Sequence, residues 1–334
     1  MVKTNYLFLI LAFSLACSTQ KKQELDQEIL ASLGEKFKTE FSDMAKSFEV
    51  KIGQDSTSIE AYLGLADSYI LLYVFGYMPR NVSVTKAKTA YKKVLKLDSV
   101  SSDVLKLSGI LSFLDWQWED SEVAFQKAIQ KNPKNLNARH WYSLWLSAMG
   151  RSDEAMDQSD TISSMDIAGD YLVGRGSLLY FQNRFEEMKP LMMKTIEQNP
   201  EIPWGYDWLG MAYNGLGEHE DAINTYIKAF ELSDGTVEVG AGLGHALGHA
   251  GETELAKQMA EYYALAAIDN YLPPVQRSFI HLGIGEYQEA INLLEQAYKE
   301  QSWFLIFIQI EPWYNPIRKD IRFIDIMNKM EFPD

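Results

Sequence analysis

The sequence is poor in the residues that cross-link a chain or hold a metal. It has one cysteine, Cys17, among 334 residues, so no disulfide can form within the chain and no cysteine pair can bind zinc. Histidine is scarce too, with five copies. There is no P-loop and no GxSxG elbow, and no pair of acidic residues is singled out by an apolar setting. We therefore expect no catalytic residue and no cofactor.

Positive charge is also in short supply. The chain has 31 Lys and Arg residues against 46 Asp and Glu residues, a formal net charge of -15. A protein of this sign can bind nucleic acid phosphates only if its basic side chains gather on one face. Five lysines cluster between residues 86 and 96, but their helical spacing is typical of a solvated surface. We expect no nucleic acid partner.

The apolar run near the N-terminus, residues 6–13, is too short to cross a bilayer, which takes about 20 residues. Its length is that of a signal-peptide core. The segment resembles a bacterial lipoprotein signal, in which a cysteine after a small residue, here Cys17 after Ala16, is lipidated. Ser14 stands where such signals prefer leucine, and an ordinary secretory signal is the alternative. The resemblance implies a signal peptide at 1–16, a tether at 17–23 and a lipid-anchored membrane protein of the bacterial cell envelope that faces the periplasm.

A period of about 34 residues runs through the rest of the chain. One series of small residues recurs every 33 or 34 positions at Gly109, Ser143, Gly176, Gly210, Gly244 and Ser278. A second series has the same spacing at Ala87, Ser121, Ala155, Met188, Ala222, Ala256 and Ala290. Glycines fall between the two series at Gly150, Gly217, Gly251 and Gly285. This pattern predicts two helices per unit, joined by a tight turn.

The clearest unit, residues 208–234, resembles a tetratricopeptide repeat. The matching residues are Gly210, Tyr213, Ala222, Tyr226 and Ala229. The resemblance implies an all-α, right-handed superhelical solenoid of antiparallel helix pairs, with a concave groove lined by the first helix of each pair. We divide the chain into a helix pair at 24–58, an array of about seven repeats at 59–311 and a capping segment at 312–334. Nine extra residues are expected between residues 66 and 87.

Three stretches resemble, more closely, the repeat module that accompanies bacterial winged-helix regulators and adenylate-cyclase-type proteins. The residues with counterparts there are Trp116, Trp118, His140, Trp141, Tyr142, Pro312, Pro316, Arg318, Asp320, Arg322 and Phe323. Ile321 stands where that group has proline. The resemblance implies a shared scaffold for sensing or docking, without the output domain.

The groove positions of the tetratricopeptide family carry over to a defined set of first-helix residues. As candidate partner-binding residues they give Lys106, Phe113, His140, Tyr180, Phe181, Asp207, Met211, Asn214, His245 and His249. The resemblance implies that this groove binds a protein or an extended peptide. The alternative for each aromatic residue is ordinary packing between repeats.

His245 and His249 lie one helical turn apart, a spacing that metal sites use. The residue after the first histidine is Ala246, not the glutamate of a metalloprotease motif, and no third ligand is evident. We predict no metal site, with an enzyme or metal protein centred on this pair as the minority alternative. We expect both imidazoles to face the groove, where they could sense pH or bind an acidic partner.

Two functions are compatible with these patterns. The first is a non-enzymatic, membrane-anchored scaffold that mediates protein–protein interaction in the bacterial cell envelope. The alternative is a regulatory module that senses a small molecule and relays the signal to a membrane partner.

Overall fold

The computed structural model describes residues 34–333. Within this range the chain forms 16 α-helices and two 3₁₀ helices and contains no strand. The lipidation site at Cys17, the signal peptide and the tether lie outside the described residues, and so does the first part of the expected helix pair at 24–58. The first described helix, α1, is Glu35–Gln54.

Seven antiparallel helix pairs follow α1. Their first helices are α2 (Ile59–Val74), α4 (Ser102–Leu114), α6 (Leu136–Ala148), α8 (Leu172–Phe181), α10 (Pro203–Gly215), α12 (Val237–His249) and α14 (Pro274–Gly283). Their second helices are α3 (Arg80–Leu97), α5 (Trp118–Lys131), α7 (Ser152–Met165), α9 (Phe185–Gln198), α11 (His219–Leu232), α13 (Thr253–Asp269) and α15 (Tyr287–Glu300). The prediction of an all-α solenoid of helix pairs is confirmed.

The 34-residue period has a direct counterpart in the packing. All seven members of the second small-residue series have 0% exposed surface. The first series lets a ring from the second helix approach the first helix closely: a Cβ atom at Gly210 would stand 2.9 Å from the Tyr226 ring, and one at Gly109 would stand 2.7 Å from the Phe125 ring. Small residues at these positions are therefore needed for the contact between paired helices.

The first helix pair is longer than the others. Helices α2 and α3 have 16 and 18 residues, whereas α4 and α5 have 13 and 14. The connection between α2 and α3, at residues 75–79, carries Gly76 at φ 72, against which Pro273 packs so closely that a Cβ atom would lie 2.7 Å away. The extra residues thus bring the first pair into contact with the loop before α14.

The solenoid winds far enough for distant repeats to touch. The Gly34 amide donates a hydrogen bond of 2.9 Å to the Asp234 carbonyl, and the Phe37 ring lies 5.5 Å from the Trp204 ring. On another side, the Trp116 ring lies 5.5 Å from that of Tyr298. These contacts join the early part of the chain to α10, to the loop between α11 and α12 and to α15, and so enclose an interior space.

That interior is filled by residues 303–317, which we call the inner segment. It comprises the two 3₁₀ helices, Trp303–Phe307 and Pro312–Ile317. The Phe307 ring stacks on Phe181 at 4.8 Å, and the Trp313 ring stacks on His245 at 3.9 Å. Both contacts are with first helices, α8 and α12. The first helices therefore line the interior.

The C-terminal part of the chain does more than cap the last repeat, which is what we expected of it. Only α16 (Ile321–Lys329) packs outside α15, where Arg322 forms a 2.7 Å ion pair with Glu295. Residues 303–308 are apolar at every position. Because such a run has no polar face to turn toward water, it packs inside the superhelix, where every side chain of the run except the partly exposed Phe304 is buried.

Candidate functional site

The ten predicted groove residues do not line an open groove. They lie on first helices α4, α6, α8, α10 and α12, but the inner segment occupies the space in front of those helices. Eight of them are 8% exposed or less, namely Lys106, Phe113, Tyr180, Phe181, Asp207, Met211, Asn214 and His245. The expectation that these side chains are free to contact a partner is therefore wrong for this structure.

The inner segment is held too strongly to be exchanged for a peptide. Its large apolar side chains are nearly all buried, namely Trp303, Leu305, Ile306, Phe307, Ile308, Trp313, Tyr314 and Ile317. Burying each side chain of this size stabilises the fold by about 1.5–3 kcal/mol, so releasing the whole set would cost more than about 10 kcal/mol. That cost is as large as the net stability of a typical domain. The inner segment is consequently part of the core.

Two of the predicted positions keep some exposure. His140 is half-buried with its ring 5.5 Å from the Tyr171 ring, and burial lowers its pKa to about 4. His249 is exposed at the end of α12. A third predicted residue, the buried Lys106, is committed to an ion pair of 2.9 Å with Asp67, so its charge is not available to a ligand.

His245 is not the pH sensor that the sequence led us to expect. Asn214 donates from its amide nitrogen to Nδ1 of His245 over 2.9 Å, which places the proton of the neutral ring on Nε2. Burial, followed by the nearby His249 and His219, holds the pKa of His245 well below its usual value. His245 therefore stays neutral at physiological pH and acts as a packing surface for Trp313.

The interior around Trp313 is unusually rich in hydrogen-bond acceptors without donors. Both carboxylate oxygens of Asp207, Oδ1 of Asn214 and Oε1 of Gln276 are buried and have no partner. Glu311 is better placed, because it accepts hydrogen bonds from the Tyr180 hydroxyl and the Trp313 amide. A buried acceptor without a donor costs about 1–3 kcal/mol, so this region destabilises the fold unless something supplies the donors.

Three carboxyl groups in this region have raised pKa values. Burial raises the pKa of Asp207 to about 7 and that of Glu311 to about 7. Burial and the negative charge of Asp207 together raise the pKa of Glu238 to about 8. The shifts arise because removal from water disfavours the charged form of a carboxyl group; for Glu311, hydrogen bonds from Tyr180 and Trp313 and the charge of Arg318 offset this only in part.

A small cavity lies among these groups. Its walls are the rings of Tyr180, Trp208, Phe279, Phe304 and Trp313, together with Met211, Gln276, Glu238 and Glu311. There is room for about one water-sized group. Among the lining residues, Glu238 and Phe304 are partly exposed and the others are buried. Solvent is therefore nearest to the cavity on the side of these two residues.

Sequence reasoning selected Asp207, Tyr180 and Met211 but missed Glu238, Gln276 and Glu311. Glu311 stands in an apolar stretch of the sequence, residues 303–314, which has only Gln309 as a second polar residue before Pro312. An acidic residue in such a stretch is a usable signal of a buried carboxyl group. Glu238 and Gln276 lie in the first turns of α12 and α14 and carry no comparable signal.

The structure gives no support for a metal centre or a membrane-spanning helix in residues 34–333. No three His, Cys, Asp or Glu side chains in that range converge closely enough to hold a metal ion. No helix in the same range is both long enough and apolar enough to cross a bilayer.

Comparisons with known proteins agree with the fold. The family described as tetratricopeptide repeat matches residues 205–235, which span α10 and α11. A chain of the APC/C hetero-tetramer Cut9-Hcn1 is similar in structure, with a TM-score of 0.60, 14% identity and coverage of 87% of this chain and 52% of that chain. The chain thus spans about half the length of that relative. No curated protein matches the sequence.

Two further solved structures have the same fold. Human IFIT1, in its dimer with m7Gppp-AAAA, has a TM-score of 0.57, 13% identity and coverage of 82% of this chain and 68% of its own. A tetratricopeptide repeat protein from Parabacteroides merdae has a TM-score of 0.50, 11% identity and coverage of 76% and 98%. At these identities the likeness concerns the fold alone.

Proposed function

We propose that this protein is a non-enzymatic, membrane-anchored scaffold of the bacterial cell envelope that binds a protein partner on its outer surface. The observation that carries the proposal is the filled interior: because the inner segment takes the place of a peptide ligand, the outer helix faces are left for partners. This differs from the groove binding that the sequence favoured.

The outer face of α3 is the part of that surface best suited to an acidic partner. Helix α3 contains six Lys and Arg residues and no acidic residue, in a chain of net charge -15. Lys92, Lys93 and Lys96 are exposed, and none forms an ion pair with any residue of the described range. Opposite charge on a partner would steer its approach and fix its orientation.

The membrane anchor rests on the sequence of the N-terminus. Cys17 is the single cysteine of the chain, and it stands where a lipoprotein signal needs one. Stable anchoring takes more than one acyl chain, which lipoprotein processing supplies. The anchored body would then face the periplasm.

We propose no nucleic acid partner. The IFIT1 structure holds m7Gppp-AAAA, but that protein shares only the fold with this chain. The negative charge of this chain opposes phosphate binding over most of its surface.

A pull-down with a charge-reversed α3 tests the proposed partner surface. The variant Lys92→Glu, Lys93→Glu, Lys96→Glu should lose a partner that the unchanged protein recovers at low salt. A matched control is Lys127→Glu, Lys131→Glu, Lys134→Glu, which reverses three exposed lysines of and after α5 and should retain the partner. Equal recovery by both variants would remove α3 from the proposal.

The anchor is tested separately with Cys17→Ser. We expect this variant to leave the membrane fraction and to lose metabolic labelling with palmitate. Continued membrane association without labelling would show that the cysteine is not the anchor.

A second candidate function is the sensing of a small molecule. The specific observation in its favour is the cavity beside buried acceptors without donors, since a ligand there would contact the inner segment and four repeats at once. A ligand that binds the native state raises the melting temperature, so a thermal-shift screen of envelope metabolites tests this candidate.

A further inference from the structure

We propose that the interior cavity binds a primary ammonium group, with Glu238, Glu311 and Gln276 as its polar ligands and aromatic rings as its walls. The inference rests on the second candidate function and names the chemical class of the ligand. It does not depend on the membrane anchor or on the partner surface of α3.

The buried acceptors in and beside the cavity lack hydrogen-bond donors, so a ligand that fits there should supply donors. Gln276 lines the cavity, is 5% exposed, and its Oε1 atom has no partner. Asp207 does not line the cavity, but it is fully buried and close enough to raise the pKa of Glu238, and neither of its oxygens has a donor. An ammonium group has three donors and no acceptor, so it satisfies such a site without adding an unmet group of its own.

The charge of the region calls for a cation. Asp207, Glu238 and Glu311 form no ion pair in the described structure, and the raised pKa of each shows that its ionised form is poorly compensated. Arg318 lowers the pKa of Glu311 less than burial raises it, and it donates to the Glu311 backbone carbonyl instead of pairing with the carboxylate. A bound cation would favour the ionised carboxylates, and a neutral water molecule would not.

The walls of the cavity favour an organic cation. Five aromatic rings surround it, including Trp208 and Trp313, and the faces of such rings attract ammonium groups. No three His, Cys, Asp or Glu side chains of residues 34–333 converge on a metal position. The room for one water-sized group admits an NH₃⁺ head and excludes a trimethylammonium head.

The rest of the ligand would extend on the side of Glu238 and Phe304, the two partly exposed wall residues. Two sources have this chemistry: a free alkylamine and the side chain of a lysine on a protein. Both present the same head group on a narrow methylene chain, so the cavity itself does not distinguish them.

Titration calorimetry of the full chain tests the proposal, with propylamine as the probe and propanol and tetramethylammonium as controls. We expect saturable binding of propylamine and none of either control. Because the carboxyl groups are partly protonated near pH 7, binding should also release protons, which appears as a heat that changes with the ionisation enthalpy of the buffer. Absence of propylamine binding, or binding equal to that of propanol, overturns the proposal.

Two variants make the test specific. Glu238→Gln keeps the shape of a partly exposed side chain of the cavity wall, and it should weaken propylamine binding about tenfold or more, because a charge-assisted hydrogen bond is lost. Glu254→Gln changes an exposed acid in the first turn of α13 and should bind as the unchanged protein does. Equal affinity of the two variants would overturn the assignment of Glu238.

A final arm separates the two sources. An acetylated and amidated peptide with one lysine is compared with the same peptide carrying norleucine. Binding of propylamine alone identifies a free amine as the ligand, and binding of the lysine peptide identifies a protein side chain. If neither amine binds but another metabolite raises the melting temperature, the sensing function survives and the ammonium assignment fails.

Discussion

The two ends of the enclosed interior are built from different chemistry, although one inner segment fills both. At the N-terminal end, Trp303 packs on Phe113 and Trp141 and Phe307 packs on Phe181, so the contacts are apolar and complete. At the C-terminal end, Trp313 and Glu311 lie among carboxyl, amide and imidazole groups, several of them without hydrogen-bond partners. The N-terminal end holds the inner segment in place by apolar packing. The C-terminal end contains buried polar groups that lack hydrogen-bond partners.

This difference separates stability from function within a single core. Apolar contacts at the N-terminal end stabilise the fold and contain no polar group that a ligand would have to satisfy. The C-terminal end gives up stability through its buried polar groups, which is the usual condition of a binding site. Substitutions at the two ends, together with the pH dependence of unfolding, measure how much each end contributes to stability.

The largest effect is expected from Phe307→Ala at the apolar end. Phe307 is buried and stacks on Phe181, so its truncation should lower the free energy of unfolding by about 3–5 kcal/mol. Denaturant titration followed by circular dichroism measures the change. A loss below about 1 kcal/mol would mean that the inner segment is not part of the core.

A smaller effect, confined to the polar end, is expected from pH. Because burial raises the pKa of Glu311 from 4.5 to about 7 in the folded protein, folding binds protons between those values. The free energy of unfolding should therefore fall as pH rises from 4.5 to 7, by up to roughly 3 kcal/mol for this group. The variant Glu311→Gln should lose less stability over the same window than the unchanged protein. Parallel curves for the two proteins would contradict the raised pKa.

The smallest loss of stability is expected from substitution of a turn glycine, and it should be equal at the two ends. Gly150 and Gly251 occupy equivalent turns with φ values of 73 and 85, and a Cβ atom at either would meet open space. Replacing either one by alanine should cost about 1 kcal/mol, since only the left-handed backbone conformation is disfavoured. Thermal unfolding of the two variants makes the comparison. Clearly unequal costs would show that the ends differ in their repeat framework and not only in their interior.

The repeat framework was predictable because it depends on the regular spacing of small residues along the sequence. The small residues at Gly109 and Gly210 and the turn glycines recur with one period, and Gly109 and Gly210 each contact a ring of the paired helix. The side of each helix that faces the interior was also predictable, as Phe113, Tyr180 and Asp207 show by lying there. Periodic sequence carries this information because each unit repeats the same packing.

The occupant of the interior was not predictable in the same way. The inner segment lies outside the 34-residue register, and its ring contacts, such as Trp303 with Phe113, join residues far apart in the chain. The apolar residues 303–308 indicate that the segment is buried, but they do not indicate which part of the protein it packs against. The protonation of Asp207, Glu238 and Glu311 depends on that place, so the polar site emerged only from the three-dimensional arrangement.

The contacts that close the superhelix alter how the protein should fold. An open repeat array gains stability from neighbouring units only, so it can lose repeats from one end while the rest stays folded. Here Phe37 meets Trp204, Trp116 meets Tyr298 and the inner segment touches helices from α4 to α14. These contacts join residues far apart in the sequence, which favours slow folding. Because they break together on unfolding, we expect one cooperative transition and not a gradual loss of repeats from the ends.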